Sequence, residues 1–324
     1  MPSIQSPLGA LPARFRRSRV LIVGCGDIGL RVASLLSGKL TVRALSSQRV
    51  RAPELRAAGT TPLWGNLDRP QSLRRLAGLA QRVLHLAPPA TVGTTDERTA
   101  ALLRALRRRG GAPAALVYAS TSGVYGDCGG DWVDEGRPVL PSTPRAQRRA
   151  DAESRVQFWG RSTAVRATVL RVPGIYAADR EGGTPLGRLR KATPVLEAAD
   201  DVFTNHIHAD DLARACVRAL WRAKPLRVYN INDDSALRMG DYFDAAAALY
   251  GLPPPPRISR MRAQVELGAM QLSFMSESRR MVNTRMKQEL GLRLRFPTVI
   301  EGLAAGIQAT GGSGVPPETS GPSR

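Results

Sequence analysis

Residues 20–30 read V-L-I-V-G-C-G-D-I-G-L. Four apolar residues make a buried strand, and Gly24, Gly26 and Gly29 follow at G-x-G-x-x-G spacing. Ile28, Val32, Leu35 and Leu36 then recur at i, i+4, i+7 and i+8, so the strand hands over to an amphipathic helix. In such a corner Gly24 permits the tight turn, Gly26 lets backbone amides approach a pyrophosphate, and Gly29 lets helix and strand pack closely. The first helical residues, Asp27 and Ile28, place their amides toward the same anion at the positive end of the helix. Dinucleotide binding is the expectation.

Outward from that corner, strands and helices alternate. Residues 40–45 read as a second strand ending in Ser46, Ser47 and Arg49. No acid stands where an NAD site places one for the ribose hydroxyls, and Arg with small hydroxyl residues suits a 2′-phosphate, so NADP is favoured and NAD stays open. Residues 62–64 form a third strand with Asn66 and Leu67 at its end, Leu73, Leu76 and Leu79 mark a helix face, and residues 82–86 form a fourth strand running into Leu86, Ala87 and Pro88. His85 lies inside that apolar strand as a core histidine. A helix around Leu102, Leu103 and Leu106 leads to a fifth strand, residues 115–119. This rhythm implies right-handed βαβ units: an α/β chain with a Rossmann-type doubly wound parallel sheet.

The fifth strand ends in S-T-S-G-V-Y-G, residues 120–126. R-V-P-G-I-Y follows at 171–176, H-I-H-A-D-D-L-A at 206–213, and a helix at 283–291. In this order the motifs resemble the extended short-chain dehydrogenase/reductases of the NAD-dependent epimerase/dehydratase type, over residues 19–310. The resemblance implies a hydroxyl at Thr121 that bonds a substrate oxygen, with Ser122 beside it, and Pro173 at the cofactor wall. It also implies a Tyr-x-x-x-Lys pair within P-x-S-P-Y-G-x-S-K-x-x-x-E. Here P-S-T-P-R-A-Q-R-R-A-D-A-E stands at 141–153, so Arg145 occupies the tyrosine position and Arg149 the lysine position. A guanidinium cannot act as acid or base near neutrality, and the usual proton relay is unavailable. Two cations four apart on a helix can instead bind an anion, or simply be solvated. Tyr125, Tyr176, Asp127, Asp131, Asp134, Glu135 and Cys128 are the remaining nearby proton carriers. Arg279 and Arg280 resemble the arginine that family members set against a nucleotide-sugar pyrophosphate.

Past Tyr176 the rhythm changes, implying a smaller interleaved C-terminal substrate domain: a flexible arm at 1–18, a dinucleotide-binding domain at 19–175, a substrate domain at 176–310 partly returning to the core, and a disordered tail at 311–324. Arg188, Arg190 and Lys191 cluster after a glycine-rich loop, Asp210 is placed as a helix N-cap, and the methionines of residues 261–286 fit core or dimer packing. His206 and His208 share a strand face without a third metal ligand nearby.

The chain has 324 residues, 43% of them hydrophobic, and a formal net charge of +20 carried almost wholly by arginine in every segment. Charge so dispersed, with 5% aromatic residues, argues against a specific nucleic-acid surface and for small acidic partners. Three scattered cysteines and the lack of a membrane-length apolar run lead to the expectation of a reducing, cytoplasmic setting with no membrane partner. Two readings follow: an oxidoreductase acting on a nucleotide-sugar-like or other anionic substrate, with a homodimer conceivable, or a non-catalytic NAD(P)-binding regulator.

Overall fold

The computed structural model describes residues 18–108 and 111–309. The expected arm, Ser18 aside, and the expected tail lie outside the described residues. Seven strands form one sheet: β1 (Arg19–Val23), β2 (Thr41–Ser46), β3 (Thr61–Trp64), β4 (Arg82–His85), β5 (Ala115–Thr121), β6 (Arg166–Val172) and β7 (Val228–Asn230). Their spatial order is β7-β6-β5-β4-β1-β2-β3 and every pairing is parallel. The order reverses between β1 and β4, where such sheets open a crevice for ligands.

Alternation along β1 explains why both faces are covered. Val20 and Ile22 belong to the apolar cluster of α1 (Asp27–Leu36), while Leu21 and Val23 belong to that of α3 (Glu97–Arg107) and α4 (Pro144–Thr163). A short α2 (Ala52–Ala57) begins with Pro53 in its first turn, where proline's missing amide costs nothing. α5 (Ala209–Arg222) packs in the same apolar cluster as α1, and β7 is the edge strand beside β6. A third apolar cluster, with Tyr176, Val195, Leu196, Met239, Tyr242 and Phe243, lies apart from these two and includes α6 (Met239–Tyr250).

Three expectations are corrected. Leu73 and Leu76 are buried, but the backbone there is a single 3-10 turn, Pro70–Leu73, and no helix carries Leu79. A uniform spacing of three matches three residues per turn rather than 3.6. The N-cap of α5 is His208, whose Nδ1 accepts from the Asp210 amide at 3.2 Å, and not Asp210, which lies in the first turn. The methionine-rich stretch is two short helices, Arg260–Glu266 and Ala269–Met275, followed by Thr284–Glu289; Met275, Met281 and Met286 are buried, whereas Met261 is exposed.

Candidate active site

The ends of the strands bring the expected cofactor residues into one row along the carboxyl edge of the sheet. Gly24 has φ +85°, and a Cβ there would lie 2.4 Å from the Ala87 amide nitrogen, so the crossing of the β1 and β4 ends admits only glycine. A Cβ on Gly26 would meet nothing within 4 Å, and on Gly29 it would crowd Cys25 Sγ at 3.2 Å. Gly26 is the N-cap of α1 without a side-chain cap, which leaves the first-turn amides for a ligand. Open space above Gly26, free amides and a helix dipole together fit a diphosphate.

Ser46 is buried at the end of β2, its Oγ accepting from the Gln48 amide, while Ser47 and Arg49 are exposed beside it. Arg49 lies over the Trp64 ring at 5.5 Å. Asn66 folds the end of β3, accepting from the Asp68 amide on Oδ1, and Leu67 packs below. At the end of β4, Leu86 and Ala87 donate their amides to the Val23 carbonyl, and Pro88 is exposed.

Asp27 is an anion in that first turn, but it is matched by cations: Arg31 Nε at 3.0 Å and Arg180 Nε at 2.8 Å. Arg31 also holds Asp179 and Asp210, so residues 179 and 180 are strapped to α1. No motif in the sequence signals this network, because its members come from three distant segments.

Beside the row lies a cavity of about 570 Å³ whose wall includes Thr121, Ser122, Arg145, Pro173, Tyr176 and Arg279. Thr121 Oγ1 caps the turn that follows β5, accepting from the Gly123 amide. α4 starts at this wall because Thr143 caps it and Pro144 opens it, which brings Arg145 to the cavity in its first turn, exposed. Arg149, one turn on, points elsewhere: Nη1 donates to the Ala119 carbonyl at 2.7 Å and to Tyr118 Oη at 3.1 Å. Tyr125 is buried and donates to Asn230 Oδ1 at 2.7 Å, and burial pushes its phenol up. Neither Arg149 nor Tyr125 lines the cavity.

The other candidate proton carriers hold loops together. Asp127 accepts from the Gly129 and Ser278 amides, Asp131 pairs with Arg137, Asp134 accepts from the Gly136 amide, and Glu135 accepts from the Asn230 amide. Burial raises the Cys128 thiol. Tyr176 does face the cavity, but its hydroxyl donates to the Thr298 carbonyl and burial raises it strongly. His85 is a core histidine, Nε2 on Thr99 Oγ1 at 2.9 Å, with burial holding it down to about 3. Among the described residues no cluster of three or more His, Cys, Asp or Glu could hold a metal. Nor is any described helix long and apolar enough to cross a membrane.

Tyr242, Phe243, His206 and Arg188 also line the cavity. His206 is buried against the Tyr242 ring at 4.5 Å, and burial holds it near 4. Arg279, set by the resemblance against a pyrophosphate, reaches the cavity and donates to the Gly126 carbonyl and Glu277, while Arg280 lies outside it over the Trp132 and Phe203 rings. Sequence spacing signals Arg188 only as part of a basic cluster, and nothing signals Tyr242 or Phe243.

A parallel sheet in this order, a glycine corner at its reversal point and a cavity at the ends of β5 and β6 define a nucleotide-binding α/β protein of the doubly wound class. The chain belongs to the NAD dependent epimerase/dehydratase family, whose model matches residues 20–232, more than half its length. It is 28% identical over 309 residues to 3-diazoavenalumate denitrifying reductase of a Streptomyces species, covering 88% of this chain and 99% of that one. Among solved structures, a functionally unknown conserved protein from Silicibacter pomeroyi superposes with a TM-score of 0.76 at 29% identity, over 91% of this chain and 99% of that one. UDP-glucose 4-epimerase from Thermotoga maritima superposes with a TM-score of 0.72 at 18% identity, over 90% of this chain and 98% of that one.

Proposed function

We propose that the chain is an NADP-linked oxidoreductase for a small anionic substrate, in which fixed positive charge replaces the family's proton relay. NADP, when bound, would supply or accept a hydride at its nicotinamide. Gly24, Gly26 and Gly29 with the first-turn amides of Asp27 and Ile28 would hold its diphosphate, and Ser46, Ser47 and Arg49 its 2′-phosphate. The absence of a carboxylate at the end of β2 supports NADP over NAD, since the first acid after it in the sequence, Glu54, is paired with Arg51.

The observation that carries the reading is that Thr121 and Arg145 share one cavity wall at the carboxyl edge of the sheet. Thr121 donates a hydrogen bond to a substrate oxygen. Arg145, permanently charged, stabilises negative charge developing on that oxygen, an electrostatic role that requires no change in its own protonation. The proton then comes from water, which the exposed side of Arg145 admits. Full-length similarity to a reductase supports a reductive reaction. Nucleotide sugars remain the other anionic class, supported by the UDP-glucose 4-epimerase likeness at the level of fold.

The test is NADPH oxidation by the purified chain across a panel of small carboxylated, phosphorylated and nucleotide-linked carbonyl compounds. Arg145→Gln and Thr121→Val are each expected to lower kcat about a hundredfold while NADPH affinity holds. Turnover untouched by both substitutions would overturn the assignment, and NADPH binding without turnover of any compound would favour a non-catalytic regulator.

A further inference from the structure

Asp27 puts a carboxylate in the first turn of α1, beside the amides argued to hold a diphosphate. The helix dipole favours an acid there, but an acid next to a bound dianion costs affinity unless a cation stands with it. Two cations do, and they are not equivalent. Arg31 is spent within the protein: Nε lies on Asp27 at 3.0 Å, Nη2 on Asp179 at 2.6 Å and Nη1 on Asp210 at 2.5 Å.

Arg180 is not spent. Its shielded Nε meets Asp27 Oδ2 at 2.8 Å as an ion pair outside hydrogen-bonding geometry, and Nη1 donates to the Ile175 carbonyl at 2.8 Å. Nη2 has no hydrogen bond to any described residue, and it belongs to a side chain that is 31% exposed and lines the cavity. The segment that carries Arg180 is a small loop closed on itself. The Ala177 amide donates to the Gly183 carbonyl, the Gly183 amide donates to the Arg180 carbonyl, and Gly182 turns at φ +61°. Residues 178, 179, 181 and 182 are exposed, and the ties of this strap to α1 are the ion pairs of Asp179 and Arg180. Such a loop buries little and places one guanidinium.

We propose that Arg180 is the side-chain cation of the cofactor's diphosphate, and that Asp27 serves to hold it there. This deepens the proposed function and rests on its reading of the glycine corner. The first-turn amides carry partial charges only, and Arg180 adds a whole one. Because Arg180 also lines the cavity, the cofactor and the cavity wall share one guanidinium. A bound cofactor favours the strap in place, and the strap in place favours the cofactor to the same extent. Asp27→Asn separates this arrangement from a bare charge count. By charge alone, removing an anion from beside a dianion tightens binding; if Asp27 holds Arg180, the same substitution loosens it.

The test measures NADPH and NADH dissociation constants by nicotinamide fluorescence at low salt, where such charges are least screened. Arg180→Gln is expected to weaken both cofactors alike by about tenfold, since both carry the diphosphate, and Arg180→Lys to recover most of that loss. Asp27→Asn should weaken both by about three- to tenfold, and Asp27→Asn with Arg180→Gln should bind no worse than Arg180→Gln alone. Glu181→Gln removes the same charge from the next residue of the strap and should leave both affinities within about twofold. Without any variant, saturating NADPH should slow hydrogen exchange at residues 178–182 by about fivefold or more. Asp27→Asn binding either cofactor more tightly than the parent, Arg180→Gln binding both as the parent does, or strap exchange unmoved by bound NADPH would each overturn the assignment of Arg180 and leave the cofactor site standing. No saturable binding of either cofactor to the parent would overturn the reading of the glycine corner, and the assignment with it.

Discussion

Arg145 and Arg149 stand one turn apart on α4 and differ in what they touch: Arg145 lines the cavity, and Arg149 donates to Tyr118 Oη and the Ala119 carbonyl. The pair that relatives use as a proton carrier and its partner is thus divided here into a charge on the cavity and a clamp between α4 and β5. Arg149→Met should destabilise the fold by about 1–2 kcal/mol, since it strips a charge-assisted donor from the half-buried Ala119 carbonyl and from the buried Tyr118 hydroxyl. Urea unfolding checks this, with Arg145→Gln as the comparison that should stay within about 0.5 kcal/mol.

Two glycines of the same corner should fail in different ways. Gly24→Ala places a methyl on the Ala87 backbone at a positive φ, so it should lower stability by about 3 kcal/mol or more and be read first in the melting temperature. Gly26→Ala meets no protein atom within 4 Å. It should fold normally and lose NADPH affinity at least tenfold, because its methyl enters the space argued to hold the diphosphate. Tight NADPH binding by Gly26→Ala would contradict that placement.

Arg171 of β6 and Glu153 of α4 form a buried ion pair, with the guanidinium 4.6 Å from the Tyr125 ring centre. Glu153→Gln leaves the arginine without its counter-charge and should cost about 3–5 kcal/mol, whereas Glu153→Leu with Arg171→Met should recover most of the loss. Chemical denaturation of the single and double variants separates these outcomes, and an additive double variant would refute the pairing.

Asp233 is buried with one oxygen on the Ser235 amide and the other unpartnered, and desolvation raises its carboxyl to about 7. Its folded pKa exceeds the ordinary value of 3.8, so between those values the folded state holds the extra proton and stability falls as pH rises. The penalty is complete above pH 7. Asp233→Asn keeps the acceptor and removes the titration, so it should gain about 1–3 kcal/mol over the parent at pH 8 and little at pH 4. Melting curves across that range check the sign: a constant difference would mean that Asp233 is ionised throughout.

The fold was legible because its signals are local. Strand 20–23, the glycines and the apolar steps of α1 fix a βα corner, and repeating the pattern fixes a parallel sheet. Leu73, Leu76 and Leu79 misled because burial repeats equally well on a 3-10 turn. The site was only half legible. Thr121 and Arg145 sit where strand and helix ends place them, so motif register locates both. Register could not tell that Arg149 reaches back to β5, since residues four apart share a helix face and side-chain length and neighbours decide the direction. The straps from Arg31 to Asp179 and Asp210, and from Arg180 to Asp27, join segments far apart in sequence, and no spacing rule reaches them.

Titration of the purified chain with NADPH and NADH, followed by nicotinamide fluorescence, tests the central claim most directly. Saturable binding is predicted, tighter for NADPH than for NADH, weakened by Gly26→Ala for both cofactors and by Arg49→Ala for NADPH alone. No saturation by either cofactor at millimolar concentration would contradict the account.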